Sequence, residues 1–324
     1  MRVLQFSFAV VATLAGAAAA SAQSYPSRPI TLIAPFPAGG PSDALGRILA
    51  EPMQALLGQP LVIENVAGAG GNIGVARVAR SAPDGYTIGI GQWSTHVVNA
   101  VTYKITYDVV TDFEPIALLA NAPQLIVARK DFPARDVAEL VAWLKTNPDK
   151  GNAATVGAAG GAQIAGMYFQ QATGTRFPFV SYRGGAPAMQ DIVAGQIDFM
   201  FDQGPNALGQ LRSGTIKAYA TMDKARWFAA PDIPTIDEAG VPGLHVSYWH
   251  AMWTAKGTPK EIVDKLNAGV RKALADPGVR ARFAELGQGI WPPEQQSPEA
   301  LLAHHKAEIE KWWPIIKATA LKAE

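Results

Sequence analysis

The chain has 324 residues, of which 48% are hydrophobic and 17% charged, and this balance is typical of a soluble globular protein with a substantial core. Its 28 basic and 27 acidic residues give a formal charge of +1, which argues against nucleic-acid binding because such proteins normally carry a basic surplus. The chain has no cysteine, which excludes disulfides, cysteine-ligated metals and cysteine nucleophiles.

Residues 1–22 have the features of a secretory signal peptide. Arg2 provides the positive charge, an apolar stretch runs from Phe6 to Ala20, and small residues at positions 20 to 22 match a cleavage site. The alternative is a membrane anchor, which needs about 20 apolar residues and usually a charged stop after them. Small residues follow here instead, so we expect cleavage after Ala22 and export of a soluble protein.

Strand-like and helical segments then alternate along the first part of the chain. Short apolar runs are followed by Gly-rich turns, and the turns by stretches with apolar residues at helical spacing. Ser42 or Asp43 is the expected N-cap of the first helix. The predicted strands are 30–36, 61–65 and 86–91, and the predicted helices are 44–57 and 75–80.

The alternation restarts after residue 130, which indicates a second α/β unit. Strands are predicted at 116–120, 125–128, 154–157, 177–182, 198–201, 216–221 and 247–253, and helices at 136–146, 163–171, 186–194, 206–212, 260–275, 278–286 and 297–321. The simplest arrangement crosses between units near 121–124 and near 245. We therefore predict an α/β fold with lobe 1 formed by 23–123 and 246–324, lobe 2 formed by 124–245, and a ligand cleft between them.

Enzyme motifs are missing from the sequence. Gly68, Gly70 and Gly74 resemble a dinucleotide-binding fingerprint, but Ile73 stands where its last glycine is required. The sequence contains no phosphate-binding P-loop, nucleophile elbow or His-Glu-x-x-His motif. We expect His304 and His305 on the solvated face of the last helix. The sequence thus predicts no catalysis, no cofactor and no metal site.

Two Gly-rich turns, each between a strand and a helix, are the strongest signals of binding. Backbone N–H groups and the positive end of the helix converge at such a turn and favour an anion. Neither turn carries Lys or Arg, so neutral donors would hold the ligand. The alternative is that each turn merely connects two elements. The candidate residues are Phe36, Pro37, Ala38, Gly39, Gly40, Ser42 and Asp43 in the first turn, and Gly157, Ala158, Ala159, Gly160, Gly161 and Gln163 in the second.

Further candidates follow other strands, whose carboxyl ends face the cleft in open α/β sheets. Ser94 and Thr95 could contact the ligand or serve structure alone. Arg183, next to Tyr182 and Gly184, could pair with a ligand carboxylate or form a surface ion pair. Asp202 is expected to orient a hinge or a water rather than face an anion.

Aromatic residues near the expected cleft leave open whether the ligand has a flat, apolar body. Trp93 lies between a strand end and a polar turn. Trp249 and His250 lie just after the second predicted crossing between the units, near residue 245. They could be interface packing. If they line the cleft, a ligand with a flat apolar body such as an aromatic acid becomes attractive.

Several segments resemble the Bug/TctC family of periplasmic solute receptors of tripartite tricarboxylate transporters. The resemblance covers 25–321 and preserves the order of the family's motifs. It includes the opening segment 25–43 and the segments 64–74, 83–87, 181–188, 195–202 and 257–259.

This resemblance implies a type II periplasmic-binding-protein fold in which each lobe has a mostly parallel sheet flanked by helices. It further implies a periplasmic, non-catalytic receptor that binds a small carboxylate through the two Gly-rich turns, partly through waters. This chain departs from the family by having no hydroxyl residue in 157–163. We expect a monomer that delivers its ligand to membrane transporter subunits. A sensory receptor for a membrane kinase and an exported hydrolase are the alternatives.

Overall fold

The computed structural model describes residues 25–322, so the expected signal peptide lies outside the described residues. The first group of strands forms the order β2-β1-β3-β9-β4, with β10 also paired to β4. The strands β1, β2 and β3 are parallel, whereas β9 runs antiparallel to β3 and β4. Their bounds are β1 Ile30–Ala34, β2 Leu61–Asn65, β3 Thr87–Gln92, β4 Phe113–Arg129, β9 Ser247–Ala255 and β10 Gly289–Ile290.

The second group of strands uses the far end of β4. Here β5, β6 and β7 are parallel, and β4 runs antiparallel to β7 and β8. Each group thus mixes parallel and antiparallel pairs, in contrast to the mostly parallel sheets expected from the sequence. The groups are joined through β4, which pairs with β9 as far as Pro123 and with β7 from Gln124 onward. The bounds are β5 Ala153–Val156, β6 Phe179–Tyr182, β7 Phe199–Gln203 and β8 Ile216–Thr221.

The helices follow the strands and cover the sheets. Their bounds are α1 Pro41–Leu57, α2 Asn72–Ala79, α3 Asn99–Thr102, α4 Val137–Thr146, α5 Gly161–Thr173, α6 Gly185–Val193, α7 Gly204–Arg212, α8 Lys260–Ala275, α9 Pro277–Glu285 and α10 Pro298–Ala318. A single π-helical stretch, Ser94–Val98, leads into α3. Within the described range, no helix is both long and apolar enough to span a bilayer.

The C-terminal helices bind elements of the first sheet. On α8, the Nδ2 of Asn267 donates a 2.7 Å hydrogen bond to the carbonyl of Ile116 in β4. On α10, the indole of Trp313 donates to the carbonyl of Val97 at 3.0 Å. The chain therefore returns to its first sheet with β9, and α8 and α10 contact β4 and the segment after β3. The exact division of residues between two lobes stays a prediction.

The structure corrects three local predictions. Helix α1 begins at Pro41 after Gly40, not after Ser42 or Asp43, because proline is suited to the first helical position and brings the start forward. One continuous strand, β4, replaces the predicted strands 116–120 and 125–128. The expectation that His305 is solvated was wrong: it is fully buried, and its Nε2 lies 2.7 Å from the carbonyl of His96.

Candidate ligand-binding site

A cleft lies where the carboxyl ends of strands from both groups meet. Its cavity volume is about 40 Å³. Its walls come from the segments after β1, β3, β5, β6 and β7, together with parts of β4 and β9. The lining residues are Phe36, Pro37, Gly40, Pro41, Ser42, Gln92, Ser94, Gln124, Val156, Gly161, Ala162, Gly184, Gly185, Ala186, Pro187, Met200, Phe201, Asp202, Gln203, Asn206 and Tyr248.

Four helices, α1, α5, α6 and α7, begin at this cleft. Their N-cap residues are Gly40, Gly160, Gly184 and Gln203, and within residues 25–322 none of these provides a side-chain cap. The first N–H groups of a helix have no partner inside the helix, and its N-terminus carries a partial positive charge. The cleft therefore presents four sets of unclaimed donors to an anion.

Three helices that begin outside the cleft are capped differently. The carboxylate of Asp136 accepts from the N–H of Glu139 at the start of α4. Asp276 and Ser297 cap α9 and α10 in the same way. Such caps occupy donors that an incoming ligand would need. All four helix starts at the cleft therefore lack a side-chain cap, and glycine leads at three of them. Among the described helices outside the cleft the starts are divided, since α2, α3 and α8 also lack a side-chain cap.

The carboxylate of Asp43 is turned away from the cleft. Its Oδ2 accepts from the N–H of Gly39 at 3.0 Å, and Arg47 lies 2.9 Å from its Oδ1. Burial opposes ionisation, but the hydrogen bonds from Arg47 and Gly39 outweigh it and lower the pKa of Asp43 below its usual range. Asp43 is thus an ionised, paired group that braces the turn.

Neutral polar side chains line the wall formed by the first sheet. The hydroxyl of Ser42 lies 3.4 Å from Oε1 of Gln92, and Nε2 of Gln92 donates to Oγ of Ser94 at 3.0 Å. Ser94 therefore accepts from Gln92 and keeps its own hydroxyl proton for another partner. Thr95 does not share this role, because its hydroxyl is engaged with the backbone of Gln92.

The two walls touch through glycines. A Cβ built on Gly161 would lie 2.8 Å from the Trp93 ring, and one on Gly184 would lie 3.0 Å from Cδ of Pro37. Both distances are too short for ordinary contact, so only glycine fits at Gly161 without a shift of the opposite wall. The starts of α5 and α6 are therefore in direct contact with the segments that follow β3 and β1.

Trp93 lies outside the lining of the cleft, which favours the packing alternative that the sequence left open. It is fully buried, and its ring packs edge-on against Tyr248 at 5.5 Å and Trp312 at 4.9 Å between centroids. His250 is likewise fully buried and lies outside the cleft wall. The inference of a flat or aromatic ligand, which depended on Trp93, loses its structural support.

The remaining candidates divide into two groups by position. At the second turn, Oε1 of Gln163 accepts from the N–H of Ala159 at 2.8 Å, and Tyr182 donates to Asp191 at 2.6 Å, so both side chains serve local structure. The candidates that line the cleft are Phe36, Pro37, Gly40, Ser42, Ser94, Gly161, Gly184 and Asp202. Those outside its lining are Ala38, Gly39, Asp43, Trp93, Thr95, Gly157, Ala158, Ala159, Gly160, Gln163, Tyr182 and Arg183.

Sequence reasoning missed several polar lining residues. Gln203 ends β7 directly after the candidate Asp202, and Asn206 lies in the first turn of α7, so the rule that selected strand ends could have found both. Gln124 lies inside β4, and Tyr248 lies at the beginning of β9. Since β9 runs antiparallel to its neighbours, the amino end of that strand faces the cleft, and the sequence carries no signal for this.

Asp202 is the carboxyl group of the cleft wall. Only 4% of the residue is exposed, and its oxygens accept from the N–H of Gln203 at 2.8 Å and Nδ2 of Asn206 at 2.6 Å. Burial raises the pKa of Asp202 to about 7, against the opposing effect of these two hydrogen bonds. Among the described lining residues there is no Lys or Arg to pair with it.

Comparison with known proteins gives one consistent answer. Residues 45–321 match the model of the tripartite tricarboxylate transporter family receptor. MatC from Rhodopseudomonas palustris, solved with bound malate, is 38% identical, with a TM-score of 0.87 and coverage of 90% of this chain and 100% of MatC. The periplasmic binding protein BugD is 40% identical, with a TM-score of 0.87 and coverage of 93% and 100%. A second R. palustris protein, solved with adipate, is 32% identical, with a TM-score of 0.87 and coverage of 92% and 99%. These matches confirm the predicted periplasmic-binding-protein fold.

Proposed function

The chain belongs to the tripartite tricarboxylate transporter receptor family, as its motifs predicted, and we propose that its cleft captures a small carboxylate for delivery to a membrane transporter. The observation that carries the proposal is the convergence of four uncapped helix starts on one cleft with no Lys or Arg among its described lining residues. Neutral N–H groups can hold a carboxylate there because the helix ends supply the positive potential.

The relatives agree with this ligand class. MatC is described with malate and the second R. palustris protein with adipate, and both are small dicarboxylates. The side chains proposed to contact the ligand in this chain are Ser42, Ser94 and Asn206, together with amides around Gly161 and Gly185. Gln92 is proposed to hold the hydroxyl of Ser94 in place.

We further propose a two-lobe mechanism. Lobe 1 comprises 23–123 and 246–324, lobe 2 comprises 124–245, and β4 and the segment before β9 act as hinges. Closure brings Gly161 against Trp93, so that donors from both lobes reach the ligand together. The closed receptor is a monomer that presents its ligand to the membrane subunits and catalyses no reaction.

Receptors of this family act in the periplasm, so the proposed function requires export of this chain. We propose that residues 1–22 direct export to the periplasm and are removed after Ala22. N-terminal sequencing of protein from a periplasmic extract checks this, with Gln23 as the expected first residue. An uncleaved amino terminus in that extract contradicts the proposed processing and leaves the ligand proposal intact.

A ligand panel tests the binding function. Malate, succinate, adipate, glutamate and benzoate are compared with glucose in thermal melts and by isothermal titration calorimetry. A ligand present at 100 times its dissociation constant stabilises the folded state by about 2.7 kcal/mol. For a chain of this size that corresponds to a rise in Tm of roughly several degrees. A response to glucose, with none to any acid, refutes the carboxylate proposal.

A further inference from the structure

Asp202 places a buried carboxyl group in the cleft that is proposed to receive a carboxylate. The residue follows the buried core of β7, and its two oxygens have only neutral donors, Gln203 and Asn206, as described partners. A negative charge at this position would share its surroundings with the charge of the ligand. The role of Asp202 in an anion site therefore needs a physical explanation.

The groups around Asp202 supply no compensating cation in the described structure. From β4, Gln124 faces the cleft, and Leu125 is paired with Asp202 across the sheet. From α7, Asn206 donates to the carboxyl group, and β5 contributes the apolar Val156. Tyr248 from β9 is the other titratable residue among the described lining, and burial raises its pKa so that it stays neutral.

Two carboxylates in one desolvated site cannot both remain ionised without a large cost, and one of the two pKa values rises strongly. The ligand is an acid of low pKa that is already ionised in solution at neutral pH. The helix N-termini of α1, α5 and α6 lie around the space left for it, and a charge there is stabilised. The N-terminus of α7 adjoins Asp202 itself, so Asp202 has one helix end against the three around the ligand. Asp202 has only two neutral hydrogen-bond donors, so Asp202 is the carboxyl group whose pKa rises and that becomes protonated.

We propose that the receptor binds its carboxylate with Asp202 protonated, so that each ligand is captured together with one proton. The acid proton of Asp202 then points into the cleft and donates to the ligand carboxylate or to a water that bridges to it. This inference rests on the proposed carboxylate-binding function and specifies how that site is regulated by pH. Free Asp202, with its pKa near 7, divides between the two forms under ordinary conditions.

Coupling between proton binding by Asp202 and ligand binding fixes the direction in which ligand affinity changes with pH. Below the pKa of free Asp202 the proton is already present, and ligand affinity is independent of pH. Above it, each ligand must bring a proton from solution, and affinity falls towards tenfold per pH unit. With the pKa at about 7, the dissociation constant should rise about 25-fold between pH 6.5 and 8.5.

Calorimetry on the mature wild-type protein measures both consequences. The tightest-binding member of the panel of malate, succinate, adipate, glutamate and benzoate is titrated at pH 6.5, 7.5 and 8.5. At pH 8.5 the titration is repeated in two buffers of different ionisation enthalpy, which reports the number of protons taken up. We expect close to one proton per ligand at pH 8.5 and well under one at pH 6.5.

Two variants assign the proton to a residue. Asp202→Asn keeps the shape and offers an amide donor, so its affinity should not change with pH and its proton uptake should vanish. Asp191→Asn removes a carboxylate of the same lobe that accepts from Tyr182 outside the cleft, and it should retain the wild-type pH dependence.

The outcomes separate this inference from the proposed function. If an acid binds with constant affinity and no proton uptake, Asp202 stays ionised and the inference is overturned while the receptor function stands. If glutamate alone binds, without proton uptake, the inference is also overturned, because the ammonium group of the ligand then pairs with an ionised Asp202. Proton uptake that persists in Asp202→Asn assigns the proton elsewhere and also overturns it. If no acid of the panel binds, the proposed function itself fails. The wild-type proton count needs no variant, so it decides the question even if Asp202→Asn does not fold.

Discussion

Gly161→Ala should weaken ligand binding by obstructing closure of the cleft. The added Cβ would lie 2.8 Å from Cζ3 of Trp93 and 3.2 Å from Cβ of Ser94, two residues that directly follow β3. Trp93 cannot yield, because it is fully buried and packed against Tyr248 and Trp312. The backbone at Gly161 is not at positive φ, so alanine is compatible with the local helix start.

The size of the expected loss in affinity follows from the close contact between the added Cβ and Trp93. Forcing one extra carbon into a well-packed interface costs about 1–3 kcal/mol. In the proposed two-lobe mechanism this cost applies to the closed form that binds the ligand, so it appears as lost affinity. At about 1.4 kcal/mol per factor of ten, the dissociation constant of the best acid should rise about fivefold to a hundredfold. Calorimetry gives this ratio, and small-angle scattering with saturating ligand should show a larger radius of gyration than the wild type.

Gly209→Ala is the matched control. Gly209 lies on the exposed surface of α7 in the same lobe, and a Cβ there would meet nothing within 4 Å. Alanine is about 1 kcal/mol better than glycine inside a helix, so this variant should be slightly more stable and bind normally. The closure argument is refuted if Gly161→Ala binds within twofold of the wild type and scatters identically.

Other predictions test the core and the helix caps. Trp93→Ala should lower the free energy of unfolding by about 3–5 kcal/mol. At temperatures where this variant is folded, its preference between benzoate and malate should equal that of the wild type. A selective loss of benzoate binding would restore the aromatic-ligand hypothesis. Burial lowers the pKa of His250 to about 3 and that of His305 to about 4, so both are neutral in the folded state. Because the unfolded chain takes up these protons below about pH 6.5, stability should fall as the pH drops from 6.5 towards 4, and His250→Phe should flatten that slope in thermal melts. Asp136→Ala removes the cap of α4 and should cost about 1 kcal/mol in urea unfolding without changing ligand affinity; an affinity loss would mean that α4 communicates with the cleft.

The order of elements was predictable because it depends on local patterns. Apolar runs such as Ile30–Ala34 became strands, and Gly-rich turns joined them to helices as expected. The same logic placed Ser42, Ser94 and Asp202 at the cleft, since each follows or ends a strand of the sheet. Position relative to a strand end is a local property, so the sequence alone carries it.

Contacts between distant segments were not predictable in this way. Trp93 follows a strand end, which left both a cleft position and a packing role open, and in the structure its ring packs edge-on against Trp312 of α10. That partner lies more than two hundred residues away. Tyr248 reaches the cleft only because β9 runs antiparallel between β3 and β4, and strand direction is set by the fold as a whole.

The choice of residues at the helix starts explains why the site looks weak in the sequence. A capping Ser or Asp would stabilise a helix by about 1 kcal/mol, and α4, α9 and α10 use such caps away from the cleft. At the cleft a cap would claim the N–H groups that the ligand needs, and a capping carboxylate would also repel it. Gly40, Gly160 and Gly184 forgo that stabilisation and leave the donors open. If the proposed carboxylate binds there, it takes the place of the missing caps, so ligand binding should also stabilise these helix starts.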